Sequence, residues 1–483
     1  MSTVIDPQAI EQDAIEQGEP PAPPRLGLLS LSLDLYRKVV PEALATYCAS
    51  HAQRVEVLGR YGEVVGHDLC CNREEVERTV ARIQAAGADV LVVVLQSYSL
   101  SLASLPALLR TPLPLVIWNT QDLGSIDDGF DADRMMANHG MHGVQDLCSC
   151  LRRTGRTFGL VSGHWRNEAH LAELADWLKA AHGVALSRRM KVGLMGRPFA
   201  GMGDFTFDEV GLISRWGPAV EPLTLAELAE AQARIGEAEL AAEIEADRER
   251  FAVEPDVTDE DHRRSARLAI ALRRVVEAHG VDAFTMHFGV FGEDPRIETC
   301  PFLGVNHLIA AGRGYAGEGD ATMAALDGLL GRLYGPAGFC EMFTADFEHN
   351  QVFMSHMGEG NYRLARPGER PVLRKVPYTF GKGRPFLLPL FRYAPGPTTL
   401  VNVAVRGDGR FGLIAFEADV LDFNLGERYD SPHFKIAVKG ELGPLLDRYS
   451  RAGGTHHLTR IPGRRLDSVE RLAHMLEMEF TRI

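Results

Sequence analysis

The stretch Ala88-Asp-Val-Leu-Val-Val-Val-Leu-Gln96 decides the fold class. Its apolar residues run without the polar alternation of a sheet that has one wet face, so it reads as a strand covered on both sides. Working outward, other short apolar runs alternate with amphipathic segments: LGLLSLS from Leu26, a helix near Tyr36–His51, RVEVLG at 54–59, a helix near Arg73–Ala86, a short helix after Gln96, then PLVIWNT at 114–120. A helix at Met135–Arg153, the strand TFGLVSG and a helix at Asn167–His182 complete the unit. Strand and helix in strict succession mean a parallel sheet with helices on both faces.

A second unit of the same kind starts at Met190-Lys-Val-Gly-Leu-Met-Gly196. It has a long Ala/Glu-rich helical stretch over 223–250, a helix near Asp261–His279 and the strand VDAFTMHF. Beyond about Gly335 the runs are short and divided by Gly/Pro turns: PFLLPLF, TTLVNVAV, RFGLIAF and FKIAVKG, with a final amphipathic helix, Leu466–Phe480, expected to pack across them. That spacing predicts an antiparallel sheet. The expected fold is α/β: two doubly wound parallel-sheet domains (26–188 and 189–335) followed by a C-terminal antiparallel β-barrel-like domain (336–483). In front stands a flexible Pro-rich tail (1–25) with too little apolar surface to offset the entropy of ordering.

Charge and composition exclude several function classes. With 51 Lys plus Arg against 65 Asp plus Glu the formal charge is −14, which disfavours nucleic acid and anionic membrane surfaces. No apolar stretch approaches the ~20 residues of a membrane span, and no basic patch followed by an apolar core opens the chain, so a soluble cytoplasmic protein is expected. The seven cysteines are scattered and odd in number, as reduced thiols are.

Gly312-Arg-Gly314-Tyr-Ala-Gly317 is a literal GxGxxG. It fails as a dinucleotide loop, because a segment of helical character precedes it and Glu318 and Asp320 would face the pyrophosphate. The glycines instead allow a tight turn that presents Glu318, with Asp320 as N-cap of a helix over 321–334. Glu341 sits in an apolar, aromatic run where a carboxylate must be paired or bind a metal. His356 follows Ser355, and His456 and His457 follow Gly453-Gly-Thr455. Two carboxylates and imidazoles from separate segments form a mixed O/N ligand set suited to Mn²⁺, with Co²⁺ or Mg²⁺ as alternatives. Taken singly, each has a structural reading as a surface acid, ion-pair partner or hydrogen-bonded core histidine.

In this order the segments resemble the L-arabinose isomerase family, within the L-fucose/L-arabinose isomerase group. Gly314-Tyr-Ala-Gly-Glu318-Gly-Asp320 with Ala324-Ala-Leu326 resembles the family's GFAGEGDWKTAAL, Phe339-Cys-Glu341 its FMED, Ser355-His356-Met357 its SHM, and Gly453-Gly-Thr-His456-His457 its GGAHHT. Asp282-Ala-Phe-Thr285 resembles its DAFTTNF, and Trp118-Asn-Thr-Gln121 lies where it has HTQ. The resemblance implies that Glu318, Glu341, His356 and His457 bind a divalent metal, usually Mn²⁺, and that Glu318 and Glu341 are the acid–base pair of an aldose–ketose isomerase. It also implies three domains and a homo-oligomer, a tetramer or hexamer, with active sites between subunits and a monosaccharide as substrate.

The chain departs from the family where sugar is contacted. GSQHLYG is here Ser30-Leu-Ser-Leu-Asp-Leu-Tyr36, NQTAHGG is Asn138-His-Gly-Met-His142-Gly143, and Gly358-Glu359 replaces Leu-Glu. Gln121, His142, Tyr36 and His456 remain as substrate-binding candidates. Two other function classes fit the same scaffold: a non-catalytic sugar-binding or regulatory protein, and another metal-assisted enzyme, an epimerase or hydrolase, acting on a sugar derivative.

Overall fold

The computed structural model describes residues 23–379 and 383–483. The expected tail lies outside them up to residue 22, and Arg25 already begins the first strand. The described residues cluster in two units, 23–186 with 467–478, and 187–466 with 479–483.

In the first unit β1 (Arg25–Leu31), β2 (Glu63–Cys70), β3 (Val90–Leu95), β4 (Leu115–Asn119) and β5 (Phe158–Ser162) form a parallel sheet in the order β2-β1-β3-β4-β5. All of β3 is buried, as an apolar run covered on both faces must be. Leu29, Leu31, Leu91, Val93 and Leu95 pack against Val76, Val80, Ile83, Leu108, Leu147 and Leu151 of the helices.

Local boundaries differ from the sequence reading where two periods compete. RVEVLG, expected as a strand, ends the helix Pro41–Leu58. The buried residues Tyr47, Ser50, His51, Arg54, Val57 and Leu58 recur at helical spacing, and the second strand is the EVVGHDLC segment after them. The helix expected at 36–51 is broken at Val40, which Pro41 drives out of the helical region. The helix expected over 135–153 divides into Ala132–Ala137 and Met141–Arg153, because the Asn138 side chain between them accepts hydrogen bonds from the Asp122 and Leu123 backbones.

The final helix, Leu466–Met475, belongs with the first unit from Asp467 onward rather than with the C-terminal sheet. Ser468 and Arg471 bond Asp176, Arg471 also pairs with Glu173, and the His474 ring bonds the Phe158 carbonyl.

The second unit contains a four-stranded parallel sheet, β10-β9-β6-β7, of β6 (Lys191–Met195), β7 (Ala219–Leu223), β9 (Ala283–Met286) and β10 (Gly314–Gly317). The stretch expected to be helical from 223 to 250 is the end of β7 and two helices, Leu225–Ala233 and Glu237–Arg250, parted at Gly236. A small sheet of β8 (Ala252–Val253), β13 (Val372–Val376) and β14 (Phe386–Leu390) stands beside them in the chain.

The C-terminal sheet takes β11 (Gly338–Asp346), β12 (Gln351–Ser355), β15 (Gly396–Val405), β16 (Phe411–Val420), β17 (His433–Val438), β18 (His457–Pro462) and β19 (Glu479–Arg482). Their order is β15-β18-β11-β12-β17-β16-β19, with β15 also paired to β16. The sheet is mixed, since β19 joins β16 in parallel while the other pairs are antiparallel. No helix among the described residues is long and apolar enough to cross a membrane.

Candidate metal centre

Strand register gathers three of the four expected ligands. β11 lies between β18 and β12, and Glu341 of β11 faces His457 of β18 on one side and Ser355, the neighbour of His356, on the other.

The fourth arrives from the parallel sheet. β10 ends at Gly317, and Glu318 follows with φ 61° and Gly319 with φ 86° before the helix Ala321–Tyr334. A left-handed glutamate costs on the order of 1–3 kcal/mol, the kind of strain held at functional sites. Gly319 is required twice over: its φ suits glycine, and a Cβ there would lie 2.5 Å from Pro198 Cα. The Glu318 carbonyl is held by the Phe199 N–H at 2.8 Å.

The donor atoms of Glu318, Glu341, His356 and His457 all lie within 4.8 Å of one another. His457 Nε2 is 3.2 Å from Glu341 Oε1 and 3.4 Å from Glu318 Oε2, and His356 Nε2 is 3.6 Å from Glu341 Oε1. Ligands about 2.0–2.2 Å from a shared cation are separated by roughly 3.0–3.5 Å, so these spacings match the edges of a coordination shell. Glu318 Oε2 and His457 Nε2 are buried and make no hydrogen bond. Two orphaned ligand atoms facing one another across such a gap fit a cation between them.

Behind the ligands, carboxylates fix the imidazole tautomers. Asp320 Oδ2 accepts from His457 Nδ1 at 2.9 Å and Glu359 Oε2 from His356 Nδ1 at 2.5 Å, which turns both Nε2 atoms toward the cluster. Asp320 is also the expected N-cap, its Oδ1 accepting from the Met323 N–H. Glu359 Oε1 accepts from the Tyr315 hydroxyl at 2.8 Å. Phe339 stands edge-on to both rings, at 4.7 Å from His356 and 4.9 Å from His457.

Among the described residues, every ion pair made by Glu318, Glu341, Asp320, Glu359 and Asp204 has a histidine as its partner. The electrostatics follow from that excess of negative charge. Burial favours neutral His457, yet Asp320, Glu318 and Glu341 outweigh it and hold the imidazolium well above its ordinary pKa. Burial likewise lowers His356, and Glu359 more than restores it. Burial raises Glu318, but His456 and His457 bring its carboxyl well below the usual range. A cation held by these four side chains would displace those protons.

A second cluster, Glu243, Asp247 and His307, also has ligand spacing. Its charges are already matched: both Glu243 oxygens receive Arg273, and Asp247 lies 3.1 Å from His262, 2.9 Å from His307 and 3.4 Å from Arg250. It is an ion network rather than a cation site.

The remaining expected site residues fall in both units. His456 adjoins the cluster, its Nε2 3.6 Å from Glu318 Oε2 and Glu341 Oε1. Tyr36, Gln121 and His142 stand in the first unit. The Tyr36 hydroxyl bonds His139 Nε2 at 2.9 Å, His142 is exposed and stacked on Tyr98 at 4.8 Å, and exposed Gln121 donates to the Leu123 carbonyl. Sequence reasoning missed Asp204, Phe205 and Tyr315, and the support that Glu359 and Asp320 give the rings. Only the i,i+3 spacing of His356 and Glu359 hinted at any of this.

The fold and site define a class: a mixed α/β protein with a largely buried two-carboxylate, two-imidazole cluster whose ligand atoms are spaced closely enough to hold a metal ion. Comparison with known proteins sharpens it. A family profile for the L-arabinose isomerase central domain matches residues 206–333 and one for the L-arabinose isomerase C-terminal domain matches 336–479, together more than half of the chain. L-arabinose isomerase of Saccharophagus degradans is 27% identical over 361 residues, 71% of this chain and 70% of that protein. The Klebsiella pneumoniae subsp. pneumoniae and Escherichia coli K12 enzymes of the same name are 26% and 25% identical over 410 residues, 81% of this chain and 80% of each. A solved periplasmic solute binding protein from Actinobacillus succinogenes 130z aligns at 13% identity with a TM-score of 0.17, over 64% of this chain and 91% of that one, too weak to bear on function. The chain belongs to the L-arabinose isomerase family, as a divergent member, and a sugar isomerase is the activity this membership supports.

Proposed function

We propose that the protein is a metal-dependent aldose–ketose isomerase acting on a monosaccharide, with Glu318, Glu341, His356 and His457 holding Mn²⁺, or Co²⁺ or Mg²⁺ in its place. The observation that carries this reading is the meeting of these four side chains within 4.8 Å, with buried Glu318 Oε2 and His457 Nε2 left without hydrogen bonds. When bound, the cation supplies Lewis-acid stabilisation of charge developing on the sugar oxygens.

The rest of the chemistry belongs to the chain. Isomerisation moves a proton between C1 and C2 through an enediol, which needs a base at one carbon and an acid at the other. Glu318 and Glu341 serve as that pair: they come from different sheets, face one space, and are only 12% and 15% exposed, so water competes little for the proton. Asp320 and Glu359 keep His457 and His356 in one tautomer and one orientation while charge shifts in front of them. His456, Tyr36, Gln121 and His142 are proposed as sugar contacts, in a cytoplasmic homo-oligomer whose sites lie between subunits.

The test is turnover of a panel of pentoses, hexoses and deoxy sugars with and without added Mn²⁺. One sugar is converted, chelation abolishes the reaction, and Glu318→Gln and Glu341→Gln each lower kcat by about 10²–10⁴ with the fold intact, since an amide cannot carry the proton. Near-normal turnover in either purified variant overturns the assignment.

A further inference from the structure

Three histidines border the centre, and carboxylates hold all three. Asp320 and Glu359 serve His457 and His356, which are members of the four-donor cluster. His456 is different. It stands outside that cluster, 38% exposed, yet its Nε2 is turned inward and is equidistant, at 3.6 Å, from Glu318 Oε2 and Glu341 Oε1. Those distances are too long for hydrogen bonds, so the Nε2 face is open to an oxygen entering between the two carboxylates.

What turns the ring inward is Asp204, 252 residues earlier in the chain. One carboxylate oxygen, Oδ2, accepts from both the His456 backbone N–H at 3.0 Å and the ring Nδ1 at 2.6 Å. Two donors from one residue on a single acceptor fix the side-chain torsions and put the ring proton on Nδ1. The segment that carries Asp204 is itself anchored to the centre. Phe199 N–H bonds the Glu318 carbonyl, and Gly319 admits Pro198 where any side chain would clash. Phe205, next to Asp204 and 1% exposed, stacks on His457 with ring centres 5.1 Å apart and planes 14° from parallel. Adjacent residues of one loop thus brace both histidines, one by a hydrogen bond and the other by its ring face.

We infer that Asp204 is a positioning residue: it aims His456 Nε2 into the space between Glu318 and Glu341, where the imidazole meets a hydroxyl of the sugar undergoing isomerisation. This deepens the isomerase reading and rests on it. Asp204 itself touches no reacting atom and acts only through the ring it holds.

The experiment compares wild type, Asp204→Ala and Asp204→Asn as Mn²⁺-loaded proteins. Alanine removes both hydrogen bonds, so kcat for the sugar that wild type converts falls about 10–100-fold, the usual loss when an outer partner of a site imidazole is removed. KM changes by less than about threefold, and Mn²⁺ affinity and thermal stability hold, because the four ligands are untouched. Asparagine keeps a carbonyl oxygen able to accept from both N–H groups and recovers most of the lost turnover. Crystal structures give a readout independent of activity: in Asp204→Ala the His456 ring leaves its orientation and Nε2 no longer faces Glu318 and Glu341. Wild-type kcat in Asp204→Ala, an unmoved ring, or a loss of kcat matched by an equal loss of Mn²⁺ affinity overturns the inference. Failure of wild type to convert any sugar overturns the isomerase reading instead, and the ring orientation then decides whether Asp204 positions His456.

Discussion

Asp320 carries two duties on two oxygens, and the substitution Asp320→Asn separates them. Oδ1 accepts from the Met323 N–H at 2.9 Å and from the Thr322 hydroxyl at 2.8 Å, capping the helix that follows Glu318. Oδ2 accepts from His457 Nδ1 at 2.9 Å. The residue is 1% exposed, so no water replaces a lost partner. An asparagine has one acceptor and one donor group and must choose. With its oxygen on the cap, the amide N–H₂ meets the His457 Nδ1 proton; the imidazole then moves its proton to Nε2 and loses the lone pair that faces Glu318 and Glu341. Asparagine caps as well as aspartate, so stability holds, but Mn²⁺ affinity falls about 10–100-fold, or about 1.4–2.7 kcal/mol. With its oxygen on His457, the metal face survives and the amide confronts the Met323 N–H, costing about 1 kcal/mol for the cap and about 1–3 kcal/mol for a buried unpaired donor. Calorimetric titration with MnCl₂ and chemical denaturation in EDTA read the two losses separately. Wild-type values in both, in the same purified variant, would show that Asp320 does not hold His457 as described.

Two further perturbations probe the frame of the site. Gly319→Ala places a methyl 2.5 Å from Pro198 Cα at a φ of 86°, so it costs about 1–3 kcal/mol and displaces Glu318; denaturation within about 0.5 kcal/mol of wild type refutes the packing reasoning. Asp327 is fully buried, accepts from the Thr459 hydroxyl and the Tyr315 N–H, and is pushed by burial from 3.8 up to about 6. Because the folded value lies above the unfolded one, its contribution is complete below about pH 4 and is lost as pH rises through 6, about 3 kcal/mol in all. Asp327→Asn removes that dependence, so wild-type stability relative to the variant declines between pH 4 and 7 in parallel denaturation series; a constant difference refutes the shift.

Legibility in the sequence followed the range of the physics involved. Val90–Leu95 announced a buried strand because covering both faces demands an unbroken apolar run, a requirement visible within six residues. RVEVLG misled because its apolar positions suit a strand when taken alone, while the helical stripe that decides it begins at Tyr47. The ligands were readable as chemistry, and the turn at Glu318 was readable from its glycines. Their meeting was implied only by the family resemblance and not by the residues themselves, because it depends on Glu341 facing His457 across one strand pair and Ser355 across the next, and nothing local encodes register between such distant segments. Asp204 was silent for the same reason.

Composition also fails to separate the two clusters with ligand spacing, since Glu243, Asp247 and His307 offer the same atom types as the centre itself. Counting the charges that reach each carboxylate does separate them. Arg273 grips both oxygens of Glu243, and Arg250 with two histidines surrounds Asp247, so a dication there would add charge to a cluster already balanced. Around Glu318 and Glu341 the ion pairs among the described residues are made by imidazoles, and an imidazolium, unlike a guanidinium, readily gives up its proton and becomes a ligand. The centre is therefore the cluster whose neutralising charges are removable.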